Sequence, residues 1–191
     1  MSIRYGLLAL LADGPRYGNQ LRSEFEHRTA ATWPLNVGQV YTTMARLERD
    51  GLVEPAGDDG DGHALYQLTE AGRADLEAWW RTPVRREGRP RDELAIKLAL
   101  AVTVPGVDVR ALVQLQRNDT IRSLQEYTRL KANQPEPDLA WQLVLDALVF
   151  QGEAEIRWLD HCEARLARDA GLAREQLGRR EVSRDAEGAP R

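Results

Sequence analysis

Residues 36–68 read NVGQVYTTMARLERDGLVEPAGDDGDGHALYQL, a stretch in which one helical pattern is followed by two short strand patterns. Spacings of three and four residues predict a single buried helical stripe made of Val37, Val40, Tyr41, Met44, Leu47 and Leu52. Asn36 is suited to cap this helix, and Gly51 is suited to end it in a left-handed conformation. Strand-like residues 52–54 and 64–68 flank a turn rich in glycine and aspartate. A helix followed directly by such a hairpin predicts a winged helix.

The face opposite the buried stripe carries small polar groups and two long cations, namely Gly38, Gln39, Thr42, Thr43, Arg46 and Arg49. Its first carboxylate, Glu48, lies at the edge. Such a face fits the major groove of DNA, where arginine recognises guanine and glutamine or threonine meets base edges. The alternative is an ordinary solvated helix face, and the hairpin that follows favours DNA. Tyr41, Arg16 and Arg22 are further candidate DNA contacts, although Tyr41 is equally compatible with core packing.

Two amphipathic segments precede this helix, and another helix follows the hairpin. The first segment contains Leu7 and Leu11 and stops at Asp13-Gly14-Pro15, and the second contains Leu21 and Phe25. Thr69 is placed to cap the helix after the hairpin. The resulting order of three helices, two strands and a helix fits one compact domain over residues 1–82.

Ordered motifs along this domain resemble those of a known family. They are Tyr17-Gly18, Gly38-Gln39-Val40-Tyr41, Arg46 to Val53, and Tyr66 to Gly72. Together they resemble the PadR (phenolic acid decarboxylase regulator) family of bacterial transcription factors. The resemblance implies a winged helix joined to a helical C-terminal region that forms a homodimer, and residues 91–98 resemble the opening of that region. Thr42 stands where the family often has a proline.

The sequence therefore predicts a mainly α protein with an N-terminal winged helix-turn-helix domain and a C-terminal α-helical dimerisation domain. The expected boundaries are 1–82 for the winged helix, 83–91 for a linker, 92–172 for the dimerisation and effector domain, and 173–191 for a disordered tail. Residues 92–102 are apolar on most sides, which predicts an enclosed helix.

The helix after Asp138 carries an approximate heptad pattern, with predicted dimerisation residues Leu145, Leu148, Gly152, Leu159 and Cys162. A second apolar side includes Trp141 and Val149. A helix that is apolar on two sides needs two partners, so the spare side is expected to pack on a symmetry mate.

Four tryptophans are candidates for an effector pocket between the winged helix and the dimer helices: Trp79, Trp80, Trp141 and Trp158. Core packing is the alternative for each of them. The resemblance implies a small aromatic effector near the dimer interface and assigns no residues to it.

Composition is unusual for a protein that binds nucleic acid. The net charge is −4, and residues 1–82 contain eight Arg and no Lys against twelve Asp or Glu. This balance argues mildly against DNA, but phosphate neutralisation is local and needs only a few well-placed cations. The single cysteine excludes an internal disulfide, and no apolar run is long enough for a signal peptide or a membrane span. We therefore expect a cytoplasmic protein that does not associate with membranes.

No enzymatic constellation is visible in the sequence. His27, His63 and His161 lie far apart, and neither metal-ligand spacing nor a phosphate-binding glycine loop is present. We expect no catalytic residues, no metal and no cofactor. The expected function is that of a dimeric, ligand-responsive repressor of a pseudo-palindromic operator in double-stranded DNA. The alternatives are a winged-helix module used for protein–protein contacts and a MarR-like regulator.

Overall fold

The computed structural model describes residues 3–84, 92–134 and 138–187, with side chains as far as residue 169. These residues form α1 (Ile3–Leu11), α2 (Gly18–Arg28), α3 (Val37–Arg49), β1 (Val53–Asp58), β2 (Ala64–Leu68), α4 (Glu70–Trp80), α5 (Glu93–Ala101), α6 (Val109–Asn133) and α7 (Leu139–Glu187). The mainly α prediction with a winged helix at the N-terminus is confirmed.

Residue contacts divide the chain into two compact units. We call Met1–Gly88 with Glu136–Leu145 the winged-helix unit, and Arg89–Pro135 with Asp146–Arg191 the helical unit.

The winged-helix unit is built on a continuous apolar core. Fourteen buried apolar residues from α1 to α4 and the hairpin form it, and α3 contributes Val40, Met44 and Leu47. Burying one such side chain stabilises the fold by roughly 1.5–3 kcal/mol. The Asn36 side chain accepts a hydrogen bond from the Gly38 amide at 2.8 Å, and Gly51 has a φ of +71°, which confirms both predicted ends of α3.

The wing is an antiparallel hairpin in which Val53 lies opposite Leu68 and Glu54 opposite Gln67. The first strand extends to Asp58, four residues past its predicted end, and its pairing is irregular between Pro55 and Asp58. Proline is tolerated there because each strand of a two-stranded sheet has a free edge.

A compact junction joins the end of α3 to the start of α4. The Thr69 hydroxyl donates to the Gly51 carbonyl at 2.8 Å and accepts from the Gly72 amide at 3.0 Å, which confirms Thr69 as the N-cap. The Thr69 amide donates to the Leu52 carbonyl at 3.1 Å. A Cβ atom on Gly72 would lie only 2.0 Å from that carbonyl oxygen, so the close approach of α4 requires glycine.

The helical unit has a smaller apolar core and a row of polar bridges. Its buried apolar cluster consists of Leu98, Val113 and Leu159, surrounded by partly buried neighbours. Glu155 of α7 accepts hydrogen bonds from Gln116 at 2.9 Å and from the Thr120 hydroxyl at 2.5 Å. These bridges fix the antiparallel register of α6 and α7.

A second set of bridges centres on Arg117. Its guanidinium lies 2.6 Å from an Asp160 oxygen and 2.8 Å from a Glu163 oxygen. The hydrogen bond from Arg117 holds the pKa of Glu163 below its usual value, against an opposing effect of desolvation. A further ion pair joins Lys131 to Asp146.

Two expectations for the second half are corrected. Helix α5 is not enclosed, because Leu98 and Ala101 are buried whereas Leu100 is 60% exposed and Ile96 is exposed as well. The backbone of α7 continues through residues 173–187, where the sequence predicted a disordered tail. Alanine, leucine, glutamate and arginine are strong helix formers, and the first proline after α7 begins is Pro190. Linker residues 85–91, residues 135–137 and residues 188–191 lie outside the described residues.

Candidate nucleic-acid interface

The solvent-facing side of α3 displays the predicted polar set. Gln39, Thr42 and Arg46 are exposed, and Arg46 forms no ion pair with any described residue. The Thr43 side chain is half-buried, and its hydroxyl donates to the Gln39 carbonyl at 2.7 Å within the helix. The exposed Arg49 guanidinium lies 3.4 Å from a carboxylate oxygen of Asp50. We call Gln39, Thr42, Thr43, Arg46 and Arg49 the recognition face.

Tyr41 both packs and remains accessible. A Cβ atom on Gly18 would lie 2.7 Å from the Tyr41 Cζ atom, so the ring rests directly on the start of α2. The side chain is nevertheless exposed. The packing role is therefore established, and contact of the hydroxyl with DNA stays a prediction.

The two arginines proposed to assist from the second helix region are engaged within the protein. The Arg16 Nε donates to the Leu10 carbonyl at 3.0 Å, and its backbone exchanges hydrogen bonds with Tyr66 at 3.1 and 3.0 Å. Arg16 thus fastens the wing to the end of α1, a structural role that the sequence did not indicate. Arg22 lies 3.9 Å from Glu26, and its Nε is buried without a hydrogen-bond partner among the described residues.

The tip of the wing is closed by aspartate side chains. Asp59 accepts from the amides of Asp61 at 3.0 Å and His63 at 3.1 Å, and it lies 2.8 Å from the His63 Nδ1. Desolvation raises the pKa of Asp59, but the hydrogen bonds from His63 and Asp61 outweigh it, so the net pKa lies below the usual value. Asp58 similarly accepts from the Gly60 amide at 2.9 Å. Two of the three wing carboxylates therefore point into the turn.

His63 also attaches the wing tip to the start of α2. Its ring stacks on Tyr17 with centroids 4.7 Å apart and an interplanar angle of 16°. The sequence did not indicate this contact, although a run of aspartate and glycine is typical of turns closed by side chains. The wing is held beside the helix-turn-helix at two points, the Tyr17–His63 stack and the Arg16–Tyr66 backbone bridge.

The four candidate pocket tryptophans are distributed over both units. Trp79 stacks on Tyr5 at 5.1 Å and touches Trp80 at 4.3 Å, all within the winged-helix unit. Trp141 is half-buried at the start of α7. Trp158 lines a cleft of about 690 Å³ in the helical unit and is the one member of the predicted set that does so.

The predicted dimerisation residues lie mostly inside one chain. Leu145 and Leu159 are 1% and 0% exposed, so they have no surface left to offer a partner, and that part of the prediction is wrong. Cys162 packs on the core cluster of the helical unit, and a Cβ atom on Gly152 would meet Leu124 of α6 at 2.8 Å. Leu148 is half-buried. Heptad spacing identified the buried side of α7, but the partner on that side belongs to the same chain.

Other apolar side chains are exposed in the helical unit. Leu115 of α6 and Phe150 of α7 are each 65% exposed, and Leu130 and Ile121 are exposed as well. Single exposed apolar residues are common, so these side chains are only individual candidates for contact with a second chain.

Two further statements hold for the part of the chain that the structure describes. No helix there is long and apolar enough to cross a membrane. No group of three or more histidine, cysteine, aspartate or glutamate side chains there is arranged to hold a metal ion.

A winged helix with an exposed cationic face on its third helix defines a DNA-binding regulator. The sequence matches the transcriptional regulator PadR-like family over residues 7–78 and the virulence activator alpha C-terminal family over residues 90–167. The chain belongs to the PadR-like family of transcriptional regulators.

Solved structures agree with this assignment at the level of the fold. The operator-bound PadR of Bacillus subtilis is 21% identical, with a TM-score of 0.67 over 86% of this chain and 99% of that one. The same protein with p-coumaric acid is 20% identical, with a TM-score of 0.69 over 86% and 98%. The virulence activator AphA of Vibrio cholerae is 22% identical, with a TM-score of 0.66 over 87% and 98%.

A sequence relative matches part of the chain. An uncharacterized protein of Lysinibacillus sphaericus is 30% identical over 73 residues, which span 37% of this chain and 67% of the relative.

Proposed function

We propose that this regulator is a homodimeric, ligand-responsive repressor whose two α3 helices enter successive major grooves of a pseudo-palindromic operator. The observation that carries the proposal is the recognition face, which is exposed on a helix anchored from behind by Val40, Met44 and Leu47. The proposal places the protein in the cytoplasm and gives it no catalytic role.

Electrostatics restrict how the protein approaches DNA. The chain is acidic overall, so its long-range field does not attract a polyanion. Affinity must therefore come from local contacts, and Arg46 is the best-placed cation because no described acidic group neutralises it. A guanidinium that reads guanine contributes roughly 1–3 kcal/mol of base discrimination.

The experiment compares Arg46→Ala with the parent on duplexes selected from a random-sequence library by repeated rounds of binding. Arg73→Ala is the matched control, because Arg73 is an exposed arginine of the same unit that lies on α4 and not on α3. We expect Arg46→Ala to weaken binding to the selected duplex by roughly 1–3 kcal/mol and Arg73→Ala to leave it unchanged. The readout is fluorescence anisotropy at several salt concentrations.

The same titrations test the alternative of a module for protein contacts. DNA binding through phosphates gives an affinity that falls steeply with salt, whereas a protein-binding module shows no such dependence on DNA. Failure to enrich any duplex, or equal affinity of the parent and Arg46→Ala, would contradict the assignment of α3.

The wing offers a second measurement on DNA. Asp61 is exposed, and its carboxylate accepts no hydrogen bond from a described residue, unlike those of Asp58 and Asp59. A free carboxylate near phosphates reduces affinity by repulsion. Asp61→Asn should tighten binding to all duplexes, most at low salt, without changing base preference. Unchanged affinity at low salt would show that the tip stays away from the backbone of the DNA.

The proposed dimer is tested at Phe150. Phe150→Glu places a charge on an exposed apolar side chain of α7, and Gln151→Glu places one on its exposed neighbour as a control. If α7 contributes to the dimer, Phe150→Glu should sediment as a monomer and bind the selected duplex poorly, whereas Gln151→Glu should behave like the parent. A Phe150→Glu dimer would place the interface elsewhere.

Ligand response is the remaining part of the proposal. The PadR of Bacillus subtilis has been solved with p-coumaric acid, and this chain is proposed to respond to a small effector with an apolar or aromatic body. Such a ligand acts by binding one conformation of the dimer more tightly than another, which shifts the population that binds DNA.

A further inference from the structure

The cleft in the helical unit is framed by three helices. Leu98 of α5 and Val113 of α6 are buried at its apolar wall, and α7 adds Trp158, Cys162 and Leu166. These α7 positions are four residues apart, so they share one face of the helix. The volume of about 690 Å³ lies within the range of small-molecule sites, roughly 300–1,000 Å³.

Charged groups are concentrated along one side of this cleft. Arg165, Arg168 and Asp169 line it from the last turns of α7 whose side chains the structure describes, and all three are exposed. None of them forms an ion pair with a residue whose side chain the structure describes. Two cations against one carboxylate leave a net positive edge beside an apolar wall.

We propose that this cleft binds a hydrophobic carboxylate, with its apolar body against Leu98, Val113 and Trp158 and its anionic head at Arg165 and Arg168. A planar guanidinium fork matches a carboxylate in geometry as well as charge. A neutral ligand would leave this positive edge unused, and a cationic ligand would be repelled by it. Binding in the cleft is proposed independently of the ligand response. Only the effect of the bound acid on DNA binding rests on the proposed function.

The only cysteine of the chain provides a direct measurement of occupancy. Cys162 lines the cleft and is half-buried, so a molecule bound there should slow its alkylation by iodoacetamide. The probes are decanoate and 2-naphthoate, each compared with its neutral primary amide. We expect both acids to protect Cys162, as measured by intact mass, and to bind about tenfold more tightly than the amides in calorimetry.

Matched variants assign the charge preference to the two arginines. Arg165→Gln combined with Arg168→Gln should remove the preference for acids over amides while amide binding persists. Arg157→Gln is the control, because Arg157 is an exposed cation of the same helix that does not line the cleft. An unchanged acid preference in the double variant would overturn the assignment of the anionic head.

Filling the cleft tests its apolar wall. Ala95→Trp and, at a more exposed lining position, Ala99→Trp should each abolish binding of acid and amide, with folding verified by circular dichroism. Undiminished binding in a folded variant would overturn the proposal. So would a second copy of the chain occupying the cleft, recognised by Cys162 protection that rises with protein concentration and is insensitive to the acids.

The two proposals fail in different measurements. Acids that bind without changing affinity for the selected duplex would contradict the ligand response and support the cleft site. Acids that neither bind nor protect Cys162 would contradict the cleft site, whatever Arg46→Ala does to DNA binding.

Discussion

The two units of the chain are held together in different ways. In the winged-helix unit, fourteen buried apolar residues form one core, and the recognition face lies on the outside of a helix that packs on this core. In the helical unit, only three apolar residues form the buried cluster of the described part, and polar bridges from Gln116, Arg117 and Thr120 complete the packing. The first unit thus has one large apolar core, whereas the second combines a small core with polar bridges and leaves a cleft.

This difference matches the two tasks that the family assignment implies. A base-reading helix must be held rigidly, because small displacements break bidentate contacts with bases. A unit that associates and binds effectors needs apolar surface that the chain itself does not cover. We propose that the exposed side chains of Phe150 and Leu115 and the cleft beside Trp158 supply that surface.

The largest expected effect is at the small core of the helical unit. Leu159→Ala removes a side chain that is fully buried within one chain and should destabilise this unit by about 2–5 kcal/mol. The exposed Leu143 is the control, and Leu143→Ala should change stability little. Hydrogen exchange by mass spectrometry should show faster exchange in α5 and α6, with α1–α3 unchanged. If Leu159→Ala instead dissociates a dimer without loss of stability, Leu159 lies in an interface between chains.

The next effect tests the rigidity of the winged-helix unit. Gly72→Ala puts a methyl group where the Leu52 carbonyl oxygen is only 2.0 Å away, so α4 must move from the end of α3. We expect a loss of about 1–3 kcal/mol or more in chemical denaturation. Gly38→Ala is the matched control on α3, where the nearest atom to the new methyl group is the Asn36 Oδ1 at 3.4 Å, and helix propensity should offset its cost. Equal stability of the two variants would show that this junction is not rigid.

The fold of the first unit was predictable because its determinants are local. Asn36 and Thr69 as caps, Gly51 as a helix end and the period of the α3 stripe each require only a few consecutive residues. The structural role of Arg16 was not predictable, because its partner carbonyl belongs to Leu10 and its backbone partner is the distant Tyr66. An arginine near a candidate interface has the same sequence pattern whether it contacts DNA or fastens the wing.

The second unit shows what helical periodicity cannot predict: it indicates which face of a helix is buried but not which element buries it. Periodicity identified Leu145 and Leu159 as buried, and it could not say whether the side chains that bury them belong to the same chain or to a second one. The cleft residues Arg165 and Arg168 were missed, although Trp158, Cys162 and Arg165 follow a helical period that places them on one face. Position in the tertiary structure, and not residue type, separated Trp158 from Trp79 and Trp80.

The smallest effect concerns pH and the bridges that supplement the core of the helical unit. The hydrogen bond from Arg117 lowers the pKa of Glu163 in the folded protein, so ionised Glu163 stabilises the fold above the usual glutamate pKa of about 4.3. That contribution is lost as the pH falls through the lowered pKa of Glu163 in the folded protein, because protonation removes the negative charge of the carboxylate. The parent should therefore lose thermal stability between about pH 5 and pH 3 more steeply than Glu163→Gln. Glu153→Gln, an exposed position on α7, should follow the parent, and the difference should be small because Glu163 is solvated. If all three proteins lose stability in parallel, carboxylates other than Glu163 determine the acid response. In that case the bridges of Arg117 do not contribute measurably to the stability of the helical unit.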